Sequence, residues 1–192
     1  MYKLMALVSL VFFSCSNHYK NPHIIIKTTY GDVEAELFPD KAPKTVATFL
    51  SYVDSGLYKS SSFYRVLFVE SPVSNLNSGV IQGGIWQSNN SKAESLPGIP
   101  HESPKQTGLS HTSGTLSLAR GVAGSANSEF FICVGDQTEF DSSRSRNPDG
   151  LGFAAFGRVV SGMETVRKIH SQPANGQSFN KPIIINNIER IQ

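Results

Sequence analysis

Cysteine is nearly absent from this chain, with two in 192 residues, at positions 15 and 133. That excludes a disulfide framework as the source of stability. Cys133 sits in the apolar run Phe130-Phe131-Ile132-Cys133-Val134 and reads as a small buried hydrophobe. Cys15 lies outside the folded pattern, so no bridge between the two is expected. Long hydrophobic runs are missing as well. The longest, Leu4 to Phe13, covers about ten residues, where a membrane-spanning helix needs about twenty. Excess charge of either sign is also missing. The formal charge is +2, and Lys3 is the only charge before Cys15, so the part from Cys15 onward carries +1. With no basic run, there is no electrostatic footprint for nucleic acid.

Several catalytic arrangements are missing too. His101-Glu102 and His111 do not have the one-turn spacing of a zinc-binding helix, and no metal-type Cys/His cluster exists. Gly124-Ser125 is followed by Asn127 where a nucleophile elbow needs glycine. Paired carboxylates occur only at Glu34 and Glu36, on the wet face of an alternating strand, where solvation explains them. No phosphate-cradling loop is present, and neither a metal nor a cofactor is expected. If the chain is an enzyme, its chemistry needs few ionising groups.

The length suits one globular domain with short extras. Residues 1–14, with Lys3 ahead of the apolar run, read as a signal peptide. Ser14-Cys15 directly after that run resembles a bacterial lipoprotein processing site. Cys15 is therefore the expected lipidation residue, residues 15–22 the tether, and the bacterial cell envelope the expected location, with the membrane reached through a lipid anchor. The folded domain is expected over 23–192.

Within it, Ile24 to Thr29 and the strictly alternating Val33-Glu34-Ala35-Glu36-Leu37 predict a hairpin. Val46, Phe49, Leu50 and Val53, at i, i+3, i+4 and i+7, predict a helix with Pro43 in its first turn and Gly56 as its stop. Strands are expected at 63–66, 80–84, 115–119, 129–134, 153–160 and 183–191, and a short second helix at 162–170. Residues 67–79, 85–114 and 141–152 read as loops. About eight strands and two helices predict a mainly β fold, a closed eight-stranded antiparallel β-barrel capped by two α-helices.

Two strand ends stand out. Phe63-Tyr64-Arg65-Val66 and Val80-Ile81-Gln82-Gly83-Gly84 each set one polar side chain into apolar company. By alternation, Phe63 and Arg65 share one face, and Val80 and Gln82 share another. Of the adjacent Phe130 and Phe131, only one can face a pocket. Together with Ala42-Pro43-Lys44-Thr45-Val46, Gly114-Thr115-Leu116-Ser117-Leu118-Ala119, Ser128-Glu129-Phe130-Phe131-Ile132 and Phe156-Gly157-Arg158-Val159, these pieces resemble the cyclophilin family of peptidyl-prolyl isomerases. The resemblance runs collinearly over essentially all of residues 23–192.

What the resemblance implies is an enzyme that turns X-Pro bonds over in proline-containing polypeptides, here exported ones, acting as a monomer. Arg65, Gln82 and Phe131 take the catalytic places. Val80, Ala119, Arg120 (through its backbone), Glu129, Phe140 and Phe153 take places that hold the substrate. Such a reaction breaks no covalent bond, so it agrees with the missing catalytic groups. The alternative is a cyclophilin-fold module that binds proline-containing segments without turning them over. Besides Val80 for a pocket methionine, Phe153 for a pocket histidine and Phe140 near the place of a rim tryptophan, this sequence departs from the family pattern in three further places. Tyr64 stands for a histidine, Glu129 for a glutamine, and Gly79 for a pocket phenylalanine, for which Phe68 is the candidate substitute.

Overall fold

The structure, a computed structural model, describes residues 19–69, 78–142 and 147–191. The expected signal peptide and Cys15 lie outside the described residues. Among the described residues, nine strands and four α-helices follow in chain order. They are β1 His23–Thr28, β2 Gly31–Leu37, α1 Pro43–Asp54, β3 Ser61–Val69 and β4 Ser78–Gly84. After these come α2 Asn90–Ser95, α3 Pro104–Thr107, β5 Thr115–Leu118 and β6 Phe130–Val134. The chain ends with β7 Ala154–Ser161, α4 Met163–His170, β8 Ala174–Asn175 and β9 Ser178–Ile191.

The strands pair antiparallel in the order β1-β2-β7-β5-β6-β4-β3-β9, and β9 pairs back onto β1. Eight strands thus close a barrel, and β8 is a two-residue partner at one end of β9. Closure removes exposed sheet edges. In a closed barrel, alternation sends one set of side chains inward. That set is Ile24, Ile26, Val33, Ala35, Leu37, Phe63, Val66, Ile81, Leu116, Leu118, Phe130, Ile132 and Phe156, all essentially inaccessible to solvent. Helix α1 packs against β7 and β9, and α4 against β2, β4 and β6. Phe49 of α1 meets Phe130 edge-on at 5.6 Å and Phe156 at 4.9 Å.

Two features correct the sequence reading. First, residues 85–114 are not all loop: α2 and α3 lie there, making four helices. Helix α2 buries only Ala93, so its sequence shows no apolar stripe; its start is marked instead by the Asn89 side chain accepting from Lys92 N–H. Second, the hairpin arms reach further than expected, with Leu67 to Val69 in β3 and Ser78-Gly79 in β4.

Helix α1 has no cap from its own flank at Ala42. Glu102, from the long connection before α3, accepts the N–H groups of Lys44 and Thr45 at 3.1 and 2.8 Å. A distant carboxylate thereby meets the positive end of the helix.

Candidate active site

The barrel's outer face over β3, β4, β6 and β5 carries a different set of residues. The register places Arg65 beside Gln82, Gln82 beside Phe131, and Phe131 beside Ser117, one row across four strands. Arg65 reaches this face by a β-bulge. Simple alternation would put Phe63 and Arg65 together, but the register shifts between them. Phe63 and Val66 both stay in the core, while Tyr64 and Arg65 turn outward. Bulges re-aim side chains in this way, at the cost of local twist.

These residues line a cleft of about 540 Å³. Arg65, Gln82, Phe131, Val80, Ala119, Arg120, Glu129, Phe140 and Phe153 all border it. Leu67, Trp86, Asn127 and Gln177 border it as well and were not singled out in the sequence. Phe68 does not take the place of the missing pocket aromatic. It lies 46% exposed and packs against the His170 ring at 4.8 Å, while Leu67 faces the cleft. Gly79 is inaccessible to any larger residue, since a Cβ there would lie 1.7 Å from the Leu67 carbonyl oxygen.

The floor is aromatic. Phe131, Phe140 and Phe153 pack mutually edge-to-face, with centroids 5.3 to 5.6 Å apart, over Val80 and the free thiol of Cys133. Beneath them the fully buried His111 ring stacks on Phe131 at 5.8 Å. Its Nδ1 pairs with Asp141 at 2.7 Å and its Nε2 with Ser117 Oγ at 2.9 Å. Burial lowers the His111 pKa against the pull of Asp141, and His111's role is to support the floor from below.

The rim is polar. Arg65 NH1 donates to Gln82 Oε1 at 2.8 Å, and Arg65 Nε and NH2 both donate to Gln177 Oε1, Nε at 3.0 Å. Gln177 is itself placed by its carbonyl, which accepts from Val66 N–H. The fork is held flat at the rim, with one N–H left over on each terminal nitrogen. Arg120 is tied into the protein: its almost completely buried side chain makes bidentate bonds to Asp149 and donates to the Gly152 carbonyl. Those bonds hold the Asp149 carboxyl down at about 2. Through them Arg120 braces the wall that ends in Phe153, over whose ring its guanidinium sits at 5.6 Å. Among the described residues, no group of three or more His, Cys, Asp or Glu is placed to hold a metal ion.

The site is thus a cleft on the outer wall of a closed barrel, with an aromatic floor and the Arg65 guanidinium held at its rim. The family profile described as cyclophilin type peptidyl-prolyl cis-trans isomerase/CLD matches residues 23–190, and the chain belongs to that family. It is a peptidyl-prolyl cis-trans isomerase. A peptidyl-prolyl cis-trans isomerase of Acinetobacter baylyi is 33% identical over 176 residues, covering 91% of this chain and 86% of that one. Peptidyl-prolyl cis-trans isomerase B of Escherichia coli is 35% identical over 147 residues, covering 76% and 82%. A solved cyclophilin type peptidyl-prolyl cis-trans isomerase of Cryptosporidium parvum shares the fold with a TM-score of 0.70 at 23% identity, covering 90% of this chain and 98% of that one.

Proposed function

We propose that Arg65 stabilises the twisted X-Pro imide while Phe131, Phe140 and Phe153 hold the proline ring. The observation that carries this is Arg65's three hydrogen bonds to Gln82 and Gln177, which fix the guanidinium beside the aromatic floor. The resting imide is planar, with a barrier to rotation of about 20 kcal/mol. In the twisted state the imide nitrogen is pyramidal and basic, so it accepts a hydrogen bond that the planar nitrogen cannot. A donor already in place is therefore stronger toward the transition state than toward the ground state. Gln82 orients the donor, Arg120, which borders the cleft, meets the substrate main chain through its backbone, and the enzyme acts as a monomer. Substrates are proline-containing polypeptides. The same Cryptosporidium parvum enzyme was also solved in the presence of the dipeptide Ala-Pro, which supports this substrate class.

The test is exchange of a peptide with one Ala-Pro bond. Wild type accelerates it, and Arg65→Ala loses about 10²–10³-fold, or about 2.7–4 kcal/mol of barrier. An active Arg65→Ala variant removes Arg65 from the reaction.

The substrates are exported proteins, and the enzyme acts on them from a lipid anchor at Cys15. What supports this is the apolar run from Leu4 to Phe13 ending at Ser14-Cys15. Acyl chains hold a protein to a bilayer at about 0.8 kcal/mol per buried methylene. Cys15→Ser is expected to release the protein from the membrane fraction or leave it unprocessed; wild type found wholly soluble, with its N-terminus beyond residue 15, contradicts the anchor.

A further inference from the structure

Behind Arg65 a chain of hydrogen bonds leads away from the cleft to a carboxylate. Arg65 NH1 donates to Gln82 Oε1 at 2.8 Å, Gln82 Nε2 donates to Tyr64 Oη at 3.2 Å, and Tyr64 O–H donates to Glu129 Oε2 at 2.7 Å. Every donor in the chain points the same way, from the cation toward the anion. Glu129 is anchored in turn: its Oε1 accepts the backbone N–H groups of Ile85 and Trp86 at 2.9 and 3.0 Å, and Ser128 Oγ at 3.1 Å. Gly84 makes room for it, since a Cβ there would lie 2.4 Å from Oε1.

We infer that Tyr64 and Glu129 are positioning residues for the isomerase reaction, dictating which end of the Gln82 carboxamide faces Arg65. The inference rests on the reading of Arg65 given above. Its logic lies in the donor count. A carboxylate only accepts, so Tyr64 must spend its single O–H on Glu129 and can offer Gln82 only a lone pair. Gln82 must then present its NH₂ to Tyr64 and its oxygen to Arg65. Were the carboxamide reversed, two NH₂ hydrogens would face a guanidinium that has only donors. Bonds aligned head to tail polarise and strengthen one another. Both Glu129 oxygens are engaged within the protein, so Glu129 acts on the substrate through Arg65 rather than by touching it.

Glu129→Gln separates this role from a scaffolding one. The amide keeps its shape, and its oxygen can still accept from Ile85 and Trp86, so a purely structural Glu129 tolerates it. Its NH₂, however, now faces Tyr64. The tyrosine proton loses its acceptor, and the Gln82 orientation is no longer enforced.

The pH dependence gives a second readout. Burial raises the Glu129 pKa above its ordinary 4.5, with Tyr64, Ser128 and the two backbone N–H groups pulling the other way. The titratable groups facing it are Tyr64 from β3, which Arg65 faces in turn, and Tyr58 from the turn before β3; β4 supplies none. Both tyrosines are pushed above their ordinary value, so between them and Glu129 it is Glu129 whose charge changes as the solution is acidified. Protonating it breaks the chain from the far end. Wild-type turnover should therefore fall as the pH drops through the Glu129 pKa.

The experiment measures kcat/KM on a peptide with one Ala-Pro bond for wild type, Tyr64→Phe, Glu129→Gln, the double variant and Arg65→Ala, from pH 8 to about pH 4, with unfolding midpoints alongside. Expected are a loss of about tenfold in each single variant, carried mainly by kcat, and about the same tenfold in the double variant. The acid limb due to Glu129 should disappear in Glu129→Gln, while any limb from His101 or His111 remains. Tyr64→Phe removes one hydroxyl and keeps the ring, so it tests the chain even if Glu129→Gln lowers the midpoint. Glu129→Gln within twofold of wild type, multiplicative losses near a hundredfold in the double variant, or an acid limb in Glu129→Gln unchanged from that of wild type would each overturn the inference. An active Arg65→Ala would instead overturn the underlying reading of Arg65, which keeps the two failures apart.

Discussion

Phe130 and Phe131 are neighbours in one strand and belong to different machines. Phe130 points into the barrel, fully buried, edge-on to Phe49, Tyr58 and Phe63 at 5.6 to 5.7 Å. Phe131 points out, onto the floor of the cleft, among Phe140, Phe153 and the His111 ring. The inner side of the wall is closed apolar packing whose business is stability. The outer side is also apolar at its base, but it is open above and fringed by donors whose own acceptors lie in the protein. One strand wall thus separates two tasks by a one-residue change of parity, so a substitution should affect mainly the task of the face it sits on.

The larger of the expected effects concerns Gln177. Replacing it with alanine removes the acceptor of both Arg65 Nε and NH2, so the guanidinium swings away from its productive position. A misplaced catalytic group costs up to about 10²-fold, and a loss of ten- to a hundredfold in kcat is expected. Because Gln177 is exposed, the unfolding free energy should move by no more than about 0.5 kcal/mol. A Gln177→Ala variant that turns over normally would mean Gln82 alone holds the arginine; one that unfolds early would blur the division between the two faces.

How much of this was legible in the sequence follows the same division. The inner face announced itself. Val33, Ala35 and Leu37, the α1 stripe and the apolar strands predicted the closed barrel, because burial imposes a periodicity. On the outer face, Arg65, Gln82, Phe131, Val80, Ala119, Arg120, Glu129, Phe140 and Phe153 border the cleft, whereas Phe68 does not.

Three things escaped. The bulge at Tyr64 reversed the expected pairing of Phe63 with Arg65, and no local pattern marks an extra residue in a strand. Gln177 lies 112 residues from Arg65 and precedes a strand that the sequence showed only beyond Pro182, since proline argues against strand. Leu67 falls in a stretch that reads as loop, whereas β3 extends through it and leaves Leu67, not Phe68, bordering the cleft. Each miss concerns the neighbour of a neighbour, which composition and spacing do not encode.

A smaller effect is expected at the Arg120–Asp149 pair, on the wall beside Phe153. Asp149 is depressed from its ordinary 3.8 to about 2 by the hydrogen bonds from Arg120, with Leu151 N–H adding to them. A depressed carboxyl stabilises the fold fully above its unfolded value, and the contribution is lost as the pH falls through the folded one. Wild type should therefore unfold at a slightly higher temperature than Asp149→Asn at pH 5, and the gap should close as the pH is lowered toward 2. An equal midpoint at pH 5, or a gap that widens in acid, would show that the pair does not hold the wall.

The division itself is tested most directly by making the same substitution on both sides of it, Phe130→Ala and Phe131→Ala, and measuring unfolding free energy and kcat/KM on an Ala-Pro peptide for each. Phe130→Ala is expected to cost about 3–5 kcal/mol of stability, as emptied aromatic core sites do, while the molecules still folded turn over within about threefold of wild type. Phe131→Ala is expected to cost clearly less stability and to lower kcat/KM by tenfold or more, about 1.4 kcal/mol or above. Equal losses of stability and activity in the two variants, or a Phe131→Ala variant with undiminished turnover, would contradict the account.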